Sequence, residues 1–241
     1  KNGIDNAAVD GLRDLVYDVP NLYVEFIKVD LPVPVGFWRS VGKSHNVFIV
    51  ESFMDELAFA SKNDPLEFRI QHLSKHKRAI NLLKFVADKI KWSNKEKDCG
   101  YGIALLFGYD SYVVEAAKVR LDNATGNYKI DKIIAGVDCG NVINPQIVKD
   151  QILSGIIMGL SAALKEKMEF KNGGPAVENF FNYNILSQLD VPNIEVYIIE
   201  SDEKVGGIGE AGLPLAAPAV VNAIFDLTGI RYRNLPLTLN I

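Results

Sequence analysis

Gly206-Gly207-Ile208-Gly209-Glu210-Ala211-Gly212 is the stretch on which the reading of the fold turns. From Gly207 onward it satisfies G-x-G-x-x-G, the fingerprint of a doubly wound dinucleotide-binding fold. Its flanks do not fit that fold. The polar run Glu200-Ser201-Asp202-Glu203-Lys204 separates the preceding strand candidate from the glycines, where the fingerprint needs a strand feeding straight into them. The next acidic residue, Asp226, falls inside a helical pattern. Only 29 residues follow Gly212, too few for the two further strands of a nucleotide-binding half. Two readings then remain for the loop. One is a tight turn before a helix, in which Glu210 is incidental. In the other, small residues on both sides let a bulky cofactor or substrate come close to a working carboxylate.

Outward from the loop, the pattern is that of an α+β chain with helices first and a helix-covered mixed sheet after. A helical pattern begins at Ser44, with Val47, Val50, Met54, Leu57 and Ala58 at spacings of three and four. Glu51, Ser52, Asp55 and Glu56 fill its other side, which reads as a solvated face. Asp64-Pro65-Leu66-Glu67 is a helix start with an Asp cap, Pro in the first turn and a Glu placed to close a capping box. A third helix is expected from about Ala79 to Ile90. Gly102–Phe107, Tyr112–Leu121 and Tyr128–Val137 alternate as strands do, with a hairpin loop over Asp122–Asn127. Asn144-Pro145 caps a helix that is apolar nearly all round from Ile152 to Leu164, as expected of a core helix, and Gly155 and Gly159 on one face allow a backbone to approach. That apolar run reads as too short for a bilayer. Short strands near Lys167–Phe170 and Ile194–Ile199 and a helix from about Pro214 complete the chain. The expected organisation is a mainly helical part, 1–92, and a sheet-and-helix part, 93–241.

Composition narrows the function classes. With 48% hydrophobic and 23% charged residues the chain is neither disordered nor fibrous. Its 26 basic against 30 acidic residues leave no excess to neutralise phosphates, so no nucleic-acid role is expected. Two cysteines make neither a disulfide framework nor a metal cage. His72 and His76 lie four apart but without an H-E-x-x-H frame, so no metal site is assigned there.

Two more stretches could carry chemistry. In Phe37-Trp38-Arg39-Ser40-Val41-Gly42-Lys43-Ser44-His45, small residues before a helix make an anion-friendly start to which Arg39 could add a bidentate contact; equally, this is a helix entry with Arg39 packed on Trp38. In Asp138-Cys139-Gly140-Asn141-Val142-Ile143-Asn144-Pro145, a strand delivers a capped helix at a natural ligand edge. Gln151, two turns on, is an amide that needs a partner if buried. Cys139 has no histidine nearby to activate it.

Taken in order, these segments resemble the molybdenum hydroxylases, the xanthine dehydrogenase and aldehyde oxidase family, in their large molybdopterin-binding subunit. The motifs are Trp38-Arg39-Ser40-Val41-Gly42, Asp64-Pro65-Leu66-Glu67-Phe68-Arg69, Asp138-Cys139-Gly140 with Asn144-Pro145 and Gln151, and the glycine loop with Glu210. The likeness runs from about Tyr17 to Leu237. A pterin-holding Gly-Gln motif, found between the helical part and the Asp-x-Gly strand in xanthine dehydrogenases, is missing here. Isoquinoline-type large subunits carry it near their N-terminus, so the chain, which opens on Lys1, is expected to be the C-terminal molybdopterin-binding region of a longer subunit and inactive alone.

The resemblance implies that Glu210 is the active-site carboxylate, taking a proton from a molybdenum-bound hydroxyl before the oxygen attacks an electrophilic substrate carbon. It implies that Gln151, Gly206, Gly207 and Gly209 contact the cofactor and that Arg39 and Val41 line the substrate pocket. Val41 stands where xanthine dehydrogenases have an aromatic, which counts against purines. The implied cofactor is molybdenum-molybdopterin in its cytosine dinucleotide form, with iron–sulfur clusters on a small partner subunit. The implied partners are that subunit, the N-terminal half of the same large subunit, and a small N-heteroaromatic or aldehyde substrate. No protein side chain ligates the metal in this family. A fold-retaining interaction domain without catalysis is the alternative.

Overall fold

Alternation along three long strands builds the middle layer of the protein, whose computed structural model describes residues 5–122 and 127–237. Strands β1 (Cys99–Gly108), β2 (Ser111–Asp122) and β3 (Asn127–Asp138) form an antiparallel meander. The tip expected between β2 and β3 lies, at 123–126, outside the described residues. Two short strands, β4 (Phe170–Lys171) and β5 (Gly174–Pro175), pair only with each other, and β6 (Asn193–Ile198) adds parallel to β3, giving the sheet order β1-β2-β3-β6. A single parallel pair at one edge makes the sheet mixed and is not the parallel core of a dinucleotide fold.

Period two sends alternate side chains to opposite faces, and both faces are covered. Tyr101, Ile103, Leu105, Val114, Ala116 and Ile134 meet helices α1 (Lys43–Ala60), α2 (Pro65–Gln71) and α3 (Lys77–Ile90). Ala104, Leu106, Val113, Ala117, Ile133 and Val137 meet α4 (Pro145–Leu164) and α5 (Ala216–Thr228). The helical segment and the sheet therefore share one core. The helix starts follow the expected chemistry. The Asp64 carboxylate accepts from the amides of Leu66 (2.8 Å) and Glu67 (3.1 Å), and the Asn144 side chain accepts from those of Gln146 and Ile147.

Two expectations are corrected. At 20 residues α4 is long enough to span a bilayer by length alone. What marks it as a core helix is packing: Val148, Ile152, Ile156 and Leu160 are buried against the sheet and α5. On α1 the acidic side is not solvated. Glu51 and Asp55 are buried while Ile49, Phe53 and Phe59 are exposed. The reason is Arg69 of α2, fully buried, whose Nε donates to Glu51 (2.9 Å) and whose Nη2 donates to the Glu51 carbonyl (2.8 Å). The Tyr17 hydroxyl (2.8 Å) and the Leu105 amide (3.0 Å) also donate to the Glu51 carboxylate, and Arg231 pairs with Asp55 at 2.6 Å.

Glu115, between Ala104 and Ala135 in the sheet, is the exception to this pairing. It is completely buried, and neither of its carboxylate oxygens has a hydrogen-bond partner among the described residues. Burial pushes its carboxyl well above the ordinary value. A folded-state value raised above the unfolded one means that its contribution is intact below the unfolded-chain range, about pH 4.3, and is lost as pH rises toward the folded value. Glu115→Gln, neutral and of the same shape, is expected to match the parent near pH 4. Above that it should gain on the parent by about 1.4 kcal/mol per pH unit while only the unfolded chain ionises. Urea unfolding of both chains at several pH values measures this, and a difference independent of pH contradicts it.

Candidate functional site

The chain brings three distant segments to one place. Arg39, Ser40 and Val41 lead into α1, the glycine loop runs from β6 toward α5, and α4 lies beneath both. Arg39 ties them together. Its Nε and Nη2 donate to the Gly209 carbonyl (2.8 and 2.5 Å), Nη1 donates to Ser154 Oγ (2.9 Å), and Nη2 reaches the carbonyl (3.2 Å) and side-chain oxygen (3.1 Å) of Gln151. Ser40, fully buried, donates from Oγ to the Glu210 carbonyl at 2.6 Å. From below, α4 presents the two glycines expected to admit a backbone. A Cβ on Gly155 would lie 3.0 Å from the Gly212 carbonyl carbon, and one on Gly159 only 2.5 Å from the Leu213 oxygen. Arg39 thus joins Gln151 and Gly209, 112 and 170 positions away in sequence, in one cluster beside Glu210.

Arg39 is not an anion hook here. Its nitrogens are engaged with neutral oxygens, and among the described residues it makes no ion pair with a carboxylate, so it acts as a charged strut under the loop. The lysine after the small residues is also committed: Lys43 is buried and paired with Asp10 and with Asp14 (3.3 Å). Gln151 lends its oxygen to Arg39, while its amide nitrogen donates no hydrogen bond among the described residues.

The loop glycines differ in what they leave room for. A Cβ on Gly206 would strike Ser111 Oγ at 2.3 Å, and one on Gly207 would lie 3.1 Å from the Tyr109 Cβ, so the β1–β2 turn itself fills that space. At Gly209 an added Cβ meets nothing within 4 Å. The Glu210 carboxylate is half-buried and has no ion-pair partner among the described residues. An open glycine, an unspent amide donor and an uncommitted carboxylate side by side suit a bulky polar cofactor approaching the loop from that side.

The Asp138-Cys139-Gly140 stretch serves the loop differently. Asp138 accepts from Arg78 Nη2 (2.6 Å) and Nε (2.8 Å), from Ser201 Oγ (2.8 Å) and from the Gly140 amide (3.2 Å). Burial pushes the Asp138 carboxyl up, but these donors outweigh it and hold it below its ordinary value. The Cys139 carbonyl accepts from the Gly206 amide at 2.8 Å, so this corner anchors the start of the glycine loop. Burial pushes the Cys139 thiol up, away from nucleophile behaviour. His76 Nδ1 pairs with the Tyr112 hydroxyl and His72 Nδ1 with the Phe68 carbonyl, both at 2.8 Å. No cluster of metal-ligating side chains occurs among the described residues.

Sequence reasoning missed Arg78, Ser201 and Tyr109. The first two carry no local signal. Tyr109 could have been suspected because Tyr109-Asp110 occupies a two-residue hairpin tip where Asn-Gly is usual.

Residues 68–192, more than half of the chain, match the molybdopterin cofactor-binding domain family. That span includes Gln151 and ends before Glu210. The chain is 33% identical to the beta subunit of the isoquinoline 1-oxidoreductase of Brevundimonas diminuta, over 92% of its own length and 29% of that protein's. It is also 33% identical to one subunit of the nicotinate dehydrogenase of Pseudomonas putida, over 92% of this chain and 20% of the relative. It therefore spans less than a third of either. The crystal structure of quinoline 2-oxidoreductase from Pseudomonas putida 86 shares the fold, with a TM-score of 0.74 at 13% identity over 84% of this chain and 52% of that one.

Proposed function

Because the chain belongs to the molybdopterin cofactor-binding family of the molybdenum hydroxylases, we propose that it carries the acid–base residue, Glu210, of an enzyme that hydroxylates an N-heteroaromatic compound or an aldehyde. The observation that supports this best is the cluster itself. A half-buried carboxylate with no ion-pair partner among the described residues stands on a loop strapped by Arg39 and Ser40, beside an open glycine and an amide that donates no hydrogen bond among them. A general base has to be held within hydrogen-bond reach of the proton it moves, and such a strap holds it there.

The pterin-held molybdenum, when bound, supplies the water-derived oxygen and takes up two electrons from the substrate. The rest falls to this chain. The Gln151 amide and the open side of Gly209 hold the cofactor edge. Arg39 and Ser40 fix the backbone on either side of Glu210, so its carboxylate reaches the same place in every turnover. Glu210 accepts the proton released as the oxygen bonds to carbon and later gives it up to solvent. The positive charge of Arg39, unneutralised by a carboxylate, favours negative charge developing next to the loop. Val41, small and aliphatic, leaves room for a flat ring without stacking on it. The relatives' names, isoquinoline and nicotinate, support a heteroaromatic substrate class. The cytosine dinucleotide form of the pterin, iron–sulfur clusters on a small partner subunit and the remainder of the large subunit complete the proposed assembly.

Oxygen labelling tests the reading. The balance is R–H plus water giving R–OH, two electrons and two protons. The full-length subunit with its partner, turning over in 18O-water with a dye acceptor, is expected to place the label in the product. Product labelled from 18O2 instead would overturn the proposal.

A further inference from the structure

Eight non-glycine residues among those described have positive φ, and half of them border the Glu210 loop: Ser40 (74°), Val41 (47°), Tyr109 (57°) and Asp110 (59°). Such backbone is strained and persists only where the surroundings enforce it. Tyr109-Asp110 is the sharper case. Both central residues of this two-residue hairpin are left-handed, a geometry that Asn-Gly adopts with little strain and a tyrosine does not.

Several contacts hold Tyr109 there. Its carbonyl accepts from the Gly207 amide at 2.6 Å, and the Lys43 ammonium lies 5.2 Å from its ring centroid. Its hydroxyl is buried, and in this geometry it closes no hydrogen bond among the described residues. A buried donor left open is costly and marks a place where a partner belongs. Its titratable neighbours are Glu210 and Asp10, with Lys43 over the ring: burial, and after it the Glu210 carboxylate, push the Tyr109 phenol well above its ordinary value, Asp10 adds to this, and Ser40 pulls the other way. A protonated phenol is a donor that a carboxylate can accept from.

We infer that Tyr109 is the positioning residue of Glu210, a strained hairpin tip that offers a buried O–H to the carboxylate and sets its orientation for proton transfer. This rests on the reading of Glu210 as the acid–base group. Three variants separate the two ideas: Tyr109→Phe, Tyr109→Gly and Glu210→Gln. Infrared difference spectra of the cofactor-free full-length subunit, parent minus Glu210→Gln, isolate the Glu210 carboxylate stretch, and Tyr109→Phe is expected to shift that band. In the full-length subunit the same variant is expected to lose about ten- to a hundredfold in kcat, with KM changed by less than about threefold. Tyr109→Gly relieves the left-handed backbone. It also removes the ring packed against the core, and it should lose at least as much kcat as Tyr109→Phe. An unshifted band together with parental kcat in Tyr109→Phe overturns the inference. Normal turnover in Glu210→Gln removes the carboxylate's role, and the role of Tyr109 with it.

Discussion

Glu210→Gln in the full-length subunit is expected to cut kcat by about 10²–10⁴-fold, the usual worth of a positioned general base. The amide has nearly the shape of the carboxylate but cannot take a proton at neutral pH. The loop should not notice the change, because the contacts that fix it run through backbone atoms: Ser40 to the Glu210 carbonyl and Arg39 to the Gly209 carbonyl. Substrate binding should change little, so that kcat and kcat/KM fall together, as they do when an interaction made only in the transition state is removed. Steady-state kinetics with an artificial electron acceptor reads this directly.

The second large effect lies in the scaffold. Glu51→Ala is expected to destabilise the chain by about 3–5 kcal/mol, the cost of leaving a buried charge without its partner. Glu51 gathers donors at both ends: Arg69 Nε and the Leu105 amide on one carboxylate oxygen, the Tyr17 hydroxyl on the other, and Arg69 Nη2 and Asn222 Nδ2 on its carbonyl. Burial, and after it Glu51, push the Tyr17 phenol well above its ordinary value, so it remains a donor with nothing else to bond. Removing the carboxylate orphans its three donors, Arg69 Nε, the Leu105 amide and the Tyr17 hydroxyl, inside a core shared by α1, α2 and β1. Set against a typical domain stability of about 5–15 kcal/mol, that loss should show as a large drop in the urea midpoint. A loss below about 1 kcal/mol would mean that the network is not what joins the helices to the sheet.

That network also shows what a single sequence conceals. The three long strands, the Asp64 and Asn144 caps and the close approach at Gly155 and Gly159 are local signals, carried by period, cap chemistry and small residues. Each appears where the residues around it demand. The charges on α1 are different. Whether Glu51 and Asp55 face water or a core depends on Arg69 and Arg231, and Arg231 is 176 positions from Asp55. No spacing within the helix encodes that. The same holds for Glu115, which sits in an ordinary alternating strand and reads as one of its polar positions.

The site divides in the same way. Glu210 stood out as a candidate because small residues flank a lone acid, and the resemblance named Arg39 and Gln151 alongside it. The strap that Arg39 throws across Gly209 and Gln151 is a property of the fold, and neither of the two readings of the Trp38-Arg39 entry encodes it. The close approach of Gly206 and Gly207 to the β1–β2 turn is likewise supplied by the fold and not by the loop's own sequence.

The most direct test of Glu210 as the acid–base residue of a molybdenum hydroxylase measures metal content and turnover on one preparation of full-length Glu210→Gln. The expected result is molybdenum and pterin at parental stoichiometry with hydroxylation lost. Parental metal content with near-parental turnover would contradict it.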